Sequence, residues 1–276
     1  MCGRFVSTST PSDIAQLLRA VVQPSAETLA PSWNVAPTNL VATVLERVDR
    51  ETGELVRGVE ALRWGLVPSW SKDPKVGARM INARVETAHE KPSFRKAFTT
   101  RRCVVPGDGY YEWKPVEAAE GRKAYKQPYY LHRPDGGPLL MAGLYEYWRD
   151  RSVTADDDPA AWLVTCTLLT TEAVGGGGGG PPRGPRPPPP PPPRGAPAPP
   201  PPHDRMPVTL HPDRLDAWLD PELSEVEQVR ALLSGPAAEL AIRPVGTAVN
   251  GVRSNGPQLL VEVADPLAGV TGGHDA

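Results

Sequence analysis

The chain has 276 residues, a formal net charge of -2 and a sequence pI near 6.2. This length suits one large domain or two small ones, and the charge excludes a protein that wraps nucleic acid over most of its surface, although a local basic patch is compatible with it. The three cysteines lack metal-site spacing, and no signal peptide or apolar run of about 18 residues is present. We expect a cytoplasmic protein without a metal, a cofactor or a membrane span.

The predicted elements begin with a helix. Residues 10–13 (Thr-Pro-Ser-Asp) are typical of a helix start, and apolar residues follow at helical spacing at Ile14, Leu17, Leu18 and Val21. Strand-like runs are then found at 40–48, 102–105, 127–132, 139–147 and 161–170.

The carboxyl-terminal part contains a second helix signal. Ser224 and Glu227 have the spacing of a capping box, ahead of an apolar series made of Val229, Leu232 and Leu233. The last apolar run covers 259–263, and we expect 265–276 to be a disordered tail.

One segment has a composition that does not suit a globular core. Residues 175–180 are all glycine, and 181–202 are almost all proline. Glycine is flexible and polyproline is an extended spacer, so neither buries enough apolar surface to offset the entropy of ordering. We interpret 175–202 as a disordered insertion into a single domain that spans 1–276. The rest predicts a strand-rich α+β fold, because strands and helices do not alternate regularly.

Cys2 directly follows the initiator methionine, which is readily removed before a small residue. An amino-terminal cysteine carries an amine and a thiol on adjacent carbons, with ordinary pKa values near ~8 and ~8.5. The amine condenses with an aldehyde to an imine, and the thiol then closes a five-membered thiazolidine. The alternative is that a cysteine at position 2 has no function. Cys103 and Cys166 lie in apolar strand-like runs, which predicts that both belong to the core.

Three polar residues have surroundings that favour a chemical role. Glu112 lies among aromatic residues, and partial desolvation would raise its pKa towards neutrality. An exposed glutamate on an edge strand is the competing interpretation. Asn82 lies in Ile-Asn-Ala-Arg, and His203 follows the insertion directly, although a lone histidine is more often structural.

A basic stretch lies between residues 63 and 102, with ten Lys or Arg against three Asp or Glu. Trp64, Trp70 and Phe94 are interleaved with these charges. Positive charge for phosphates together with rings for bases is typical of a surface that binds single-stranded nucleic acid. An ordinary solvated basic face with buried tryptophans is the alternative.

These pieces, taken in order, resemble the SOS response-associated peptidase (SRAP) family, the abasic-site processing proteins. The matching stretches cover nearly all of the chain outside the insertion. They are MCGRF at 1–5, WNVAPT at 33–38, RWGLVPSW at 63–70, INARVET at 81–87, KPSFR at 91–95, RCVVPGDGYYEW at 102–113, HDRMP at 203–207 and VNGVR at 249–253.

The resemblance implies a barrel-like fold with flanking helices, and a monomer that bonds covalently through Cys2 to abasic sites in single-stranded DNA. Asn82 would orient the amine and the sugar, Glu112 would move protons, and His203 would protonate the sugar oxygen. The implied DNA contacts are Arg4, Trp70, Arg84, Thr170 and Arg205.

The insertion departs from the family pattern, because 29 residues separate Ala173 from His203 where the family has a short loop. Two other functions stay open at this point. The chain could be an amino-terminal nucleophile peptidase that at minimum releases its own Met1, or a module that reads damaged DNA without covalent chemistry.

Overall fold

The computed structural model describes residues 2–49, 52–118, 123–155, 158–173, 203–235 and 237–267. The predicted insertion at 175–202 lies outside the described residues. The predicted tail at 265–276 is described only as far as 267, and Asp265 there accepts a hydrogen bond of 2.7 Å from the Tyr129 hydroxyl. No helix in the described ranges has both the length and the apolar character that crossing a membrane requires.

The helices are short and lie on the outside of the sheets. They are α1 (Pro11–Leu18), α2 (Arg95–Thr100), α3 (Leu215–Leu219) and α4 (Val226–Leu232). The start of α1 confirms the sequence prediction, because the Thr10 hydroxyl and the Asp13 carboxylate cap it reciprocally.

Two details of the predicted helices are wrong. Helix α1 ends at Arg19, which takes a left-handed conformation with φ of 52°, so Val21 belongs to a strand and not to the helix. The capping box at Ser224 is absent, because the helix starts one residue later with Glu225 as its cap and no side-chain bond to the backbone.

Strands make up most of the fold. Those that precede the basic stretch or lie within it are β1 (Arg4–Ser7), β2 (Val21–Val22), β3 (Ser32–Val35), β4 (Leu40–Val48), β5 (Leu55–Trp64) and β6 (Asn82–Arg84). The others are β7 (Arg102–Gly107), β8 (Gly109–Val116), β9 (Tyr125–His132), β10 (Leu139–Arg149), β11 (Trp162–Glu172), β12 (Arg205–Pro207) and β13 (Ala241–Pro244).

The larger sheet closes on itself. Its order is β12-β11-β10-β7-β4-β5-β2, and β5 also pairs in parallel with β11, opposing Trp64 to Cys166. Strands β11, β10, β7, β4 and β5 therefore form a five-stranded barrel, which confirms the barrel-like α+β prediction. Cys103 and Cys166 are fully buried in it, as the sequence predicts.

The smaller sheet has the order β13-β9-β8-β1-β3, and all of its pairings are antiparallel. One face of β1 packs towards the barrel core through Phe5, whose ring meets Trp64 edge-on at 5.1 Å. The other face forms a separate apolar cluster that includes Val6, Tyr111 and Tyr130. Strand β1 thus carries the amino terminus into the space between the two sheets.

The described residues on either side of the insertion lie side by side. Strand β12 pairs antiparallel with β11, and the register opposes Glu172 to Arg205. The Ala173 amide donates a hydrogen bond of 2.8 Å to the Asp204 carbonyl. The chain that leaves β11 therefore returns at the same place, so a connection of any length fits the fold there.

Candidate functional site

Cys2 lies directly before β1 and is fully buried. The Asn82 side-chain amide donates a hydrogen bond of 2.7 Å to the Cys2 carbonyl oxygen. Asn82 is the first residue of β6, which pairs in parallel with β11 of the barrel. This contact therefore joins the amino terminus on one sheet to the edge of the other, and it brings two of the predicted site residues together.

The other end of the Asn82 side chain is available for a further contact. Its Oδ1 atom is buried and has no hydrogen-bond partner within the described part of the chain. Buried polar atoms in native proteins are nearly always paired, and exceptions often mark a functional site. An acceptor is thus held beside the Cys2 backbone, where an amine or a sugar hydroxyl would meet it.

Glu112, which is part of strand β8, lies next to Cys2. The register opposes Arg4 to Tyr111, so Glu112 is the residue that continues this pairing towards the amino terminus. Strand β8 is central, between β9 and β1, and Glu112 is only 3% exposed. The interpretation as an exposed edge-strand glutamate is wrong. Burial raises the pKa of Glu112 to about 7, and the charge of Asp204 adds to the shift.

The Cys2 thiol is held in its neutral form. Burial raises its pKa well above the ordinary value, and the nearby Glu112 carboxylate raises it further. The nucleophilic form of cysteine is the thiolate. A buried thiol with a raised pKa is therefore a poor nucleophile unless a neighbouring group takes its proton.

His203 has two partners at one ring nitrogen. Its Nδ1 atom lies 2.5 Å from Asp204 Oδ1 and 2.9 Å from the Arg205 amide nitrogen. With a proton on Nδ1, as in the protonated ring, this atom donates to Asp204, whereas in the neutral tautomer that has its proton on Nε2 it accepts from the Arg205 amide. Burial lowers the pKa of His203, and the Asp204 charge opposes this shift without cancelling it.

Arg205 is engaged within the protein. Its Nη1 and Nη2 atoms donate to the two carboxylate oxygens of Glu86 at 3.0 and 2.9 Å. Nη2 also donates to the Thr170 carbonyl at 2.5 Å. Thr170 itself is only 1% exposed. Arg205 and Thr170, both predicted from the sequence as DNA contacts, therefore have partners within the protein.

The other three predicted DNA contacts have different surroundings. Arg4 donates from Nη1 to Asn34 Oδ1 at 2.8 Å and to the Val249 carbonyl at 3.1 Å. Arg84 is exposed at the end of β6, two residues from Asn82. Trp70 is 61% exposed, an unusual state for so large an apolar side chain. Arg84 and Trp70 are thus the two that the fold leaves open to a ligand.

The basic stretch divides into surface charges and structural charges. Arg102 is buried and donates to the carbonyls of Phe98, Thr99, Trp218 and Asp220, so it joins α2 and α3 to the barrel. The side chains that remain exposed are Lys72, Lys75, Arg79, Arg84, Lys91, Arg95 and Lys96. Trp64 is buried in the core, whereas Trp70 is not. Most of the stretch is therefore a basic surface.

A protein-family model described as SOS response associated peptidase (SRAP) matches residues 1–177 and 197–252. The chain belongs to this family. The internal residues that the model leaves unmatched, 178–196, fall inside the predicted insertion.

Curated relatives carry the name abasic site processing protein. YoqW of Bacillus subtilis (strain 168) is 33% identical over 262 residues, which is 94% of this chain and 99% of YoqW. YedK of Escherichia coli (strain K12) is 29% identical and covers 95% of this chain and 100% of its own length. HMCES of Xenopus tropicalis is 27% identical, over 95% of this chain and 78% of its own.

Solved structures agree with the fold. A crystal structure of a protein from Bacteroides thetaiotaomicron superimposes with a TM-score of 0.67 at 20% identity, over 95% of this chain and 100% of that one. A phage-related protein from Bordetella bronchiseptica gives a TM-score of 0.56 at 29% identity, over 88% and 94% of the two chains.

Two site residues have no counterpart in the sequence prediction. Glu86 pairs with Arg205, and Asp204 contacts His203 and influences Glu112. Asp204 is adjacent to a predicted site residue, which is a usable signal. Glu86 lies two residues from Arg84, but its pairing with Arg205 leaves no signal in the sequence, because this partner is 119 residues away in the chain. Within the described ranges, no group of three or more His, Cys, Asp or Glu side chains could hold a metal ion.

Proposed function

We propose that this protein bonds covalently through Cys2 to abasic sites in single-stranded DNA and so protects them during a DNA damage response. The observation that carries the proposal is the 2.7 Å hydrogen bond from Asn82 to the Cys2 carbonyl, next to a buried carboxyl group with a pKa of about 7. The names of the curated relatives support the substrate class.

The chemistry requires a free amine on Cys2, so hydrolysis of the Met1–Cys2 peptide bond comes first, by self-processing or by an aminopeptidase. The amine then attacks the aldehyde carbon of the opened abasic sugar, and loss of water gives an imine. The thiol sulfur adds to the imine carbon, its proton passes to the imine nitrogen, and a thiazolidine ring results. β-Elimination of the 3′ phosphate from the imine, in place of ring closure, would be lyase-like because it breaks the DNA strand, whereas reversal of the steps above releases the intact abasic site.

Each step has a matching group. Asn82 Oδ1 is a buried acceptor next to Cys2, suited to orient the amine. Glu112 has a pKa near neutrality, so it exchanges protons readily during loss of water and ring closure. His203, in the protonated form that Asp204 stabilises, donates to the sugar oxygen and assists ring opening.

The raised pKa of the Cys2 thiol favours a reaction in which the amine attacks first. It does not favour the mechanism of a general cysteine peptidase. A peptidase needs a thiolate that attacks first, whereas burial keeps the Cys2 thiol neutral. In thiazolidine formation the amine attacks first, and the thiol reacts later with a much more electrophilic imine carbon. The neutral thiol is thus compatible with the proposed reaction.

Binding of a single strand would use the exposed part of the basic stretch. Arg84 lies next to the site and Trp70 exposes its ring, so one suits a phosphate and the other suits a base. The partner we propose is therefore single-stranded DNA that contains an abasic site, bound by a monomer in the cytoplasm.

The test is intact mass spectrometry of the purified protein after incubation with an abasic single-stranded oligonucleotide. We expect a covalent adduct with the wild type, no adduct with Cys2→Ala, and a retained adduct with Cys103→Ala, whose thiol lies in the core. Undiminished adduct from Cys2→Ala would sink the proposal. Cleavage of unrelated peptides would favour the peptidase, and retention of DNA without an adduct would favour a non-covalent reader.

A further inference from the structure

His203 lies two residues before strand β12, and the pairing of β12 with the barrel is short. The register between β11 and β12 covers three residue pairs. The chain directly before His203 is the predicted insertion, which lies outside the described residues. Precise placement of the imidazole therefore depends on the contacts made by the first residues of β12.

The strongest of these contacts is the pair formed by Arg205 and Glu86. Both terminal nitrogens of the guanidinium meet the two oxygens of one carboxylate, at 3.0 and 2.9 Å. Such two-point pairs fix orientation as well as distance. The Arg205 side chain is 11% exposed and the Glu86 side chain is 44% exposed, so the arginine is the buried partner of the pair.

Glu86 connects Arg205 to the strand that carries Asn82. It follows β6 by two residues, and β6 ends at Arg84. The same guanidinium donates to the Thr170 carbonyl on β11, the strand that pairs with both β6 and β12. One side chain therefore joins the three strands that position Asn82 and His203.

Arg205 also contacts the imidazole directly. Its backbone amide nitrogen lies 2.9 Å from His203 Nδ1. A shift of Arg205 would thus move the group that orients the ring. A continuous series of contacts therefore connects the Glu86 carboxylate, through the guanidinium and backbone of Arg205, to the His203 ring.

We propose that Glu86 is a positioning residue, which holds Arg205 so that Arg205 in turn fixes the His203 imidazole. This inference rests on the proposed function, in which His203 assists opening of the sugar ring.

The test compares initial rates of adduct formation for the wild type, Glu86→Ala, His203→Ala and the double variant, with abasic single-stranded DNA in excess. Glu86→Ala should slow the reaction about tenfold or more, since a misplacement of about 1 Å can cost about a hundredfold in rate. In the His203→Ala background the same change should have almost no further effect, because residues that act through one another are not additive.

Two variants guard against a trivial loss of structure. Glu86→Gln keeps one carbonyl acceptor for Arg205, so it should retain more of the rate than Glu86→Ala. Glu227→Ala is the matched control, because Glu227 also pairs with an arginine, Arg230, at 2.9 Å on exposed helix α4. Its rate should equal that of the wild type. Affinity for the oligonucleotide should be the same for the wild type, Glu86→Ala, Glu86→Gln and Glu227→Ala.

Three results would overturn the inference. Independent, multiplicative effects of the Glu86 and His203 changes would show that Glu86 does not act through His203. Faster reaction or tighter DNA binding by Glu86→Ala would show that Glu86 competes with phosphate for Arg205. An unchanged rate would overturn the inference alone, whereas absence of any adduct from the wild type would overturn the proposed function as well.

Discussion

Replacing Glu112 with glutamine should make the protein progressively more stable than the wild type as the pH rises. Glu112 is buried, and burial raises its pKa to about 7. Glutamine has nearly the same shape but cannot ionise. The substitution therefore removes the cost of a buried charge, while any change in hydrogen bonding adds an offset that does not vary with pH.

The magnitude follows from the two pKa values. In the unfolded chain the carboxyl group titrates near ~4.3, and in the folded protein it titrates at about 7. The native state binds this proton more tightly, so its stabilising effect is complete below the unfolded pKa and is lost as the pH rises through the folded pKa. A difference of roughly 2.7 units corresponds to about 3.5 kcal/mol, spread between about pH 4.3 and pH 7.

The assay is urea unfolding of the wild type and Glu112→Gln at pH values from 5 to 8, in steps of about one pH unit. The difference in unfolding free energy should grow by about 2 to 3 kcal/mol over this range and then level off. A difference that stays flat would refute the reasoning, because Glu112 would then have an ordinary pKa and would be unsuited to proton transfer at neutral pH.

Three further outcomes are expected. Cys2→Ser should give an adduct that reverses faster than that of the wild type, measured by mass spectrometry after dilution, because its hydroxyl cannot form the sulfur ring; equal lifetimes would contradict this. Binding to single strands should weaken with salt, and Arg84→Ala should reduce the slope of log affinity against log salt by about 0.7, the value for one phosphate contact; an unchanged slope would place Arg84 away from the DNA. Replacing 175–202 with a short loop should leave the crosslinking rate unchanged or raise it, provided that circular dichroism shows a folded protein; loss of the adduct would give the insertion a role in the site.

The sequence predicts strands well where a run is apolar on both faces. Strand β4 has the bounds that the sequence predicts, 40–48, and the runs at 102–105 and 139–147 each extend by two residues. These strands lie in the barrel, where burial on both faces produces continuous apolar runs. Strand β5 has no such signal, because Arg57, Glu60 and Arg63 interrupt it.

The charges in β5 are stabilised by residues that are distant in sequence. Arg57 contacts Glu46 on β4 and Asp216 on α3, and Glu60 pairs with Arg47. Local periodicity cannot report partners of this kind, which only the completed barrel brings together. The same reason explains why the sequence left an exposed edge position open for Glu112, because the central position of its strand depends on pairing with β1 and β9.

Candidate site residues are recognisable from sequence when their chemistry depends on position in the chain, as for Cys2. They are harder to recognise when the chemistry depends on burial or on a distant partner, as for Glu112 and Glu86.

The placement of His203 depends on strand pairing and not on its distance from Ala173 along the chain. Its distance in sequence from Ala173 is long, yet the pairing of β11 with β12 places the two ends of the connection together. Since loop-closure entropy rises only slowly with length, lengthening this connection from a few residues to 29 costs only about 1 kcal/mol. The contacts of Arg205 with Glu86 and Thr170 lie outside the connection, so they hold His203 in the same way whatever its length.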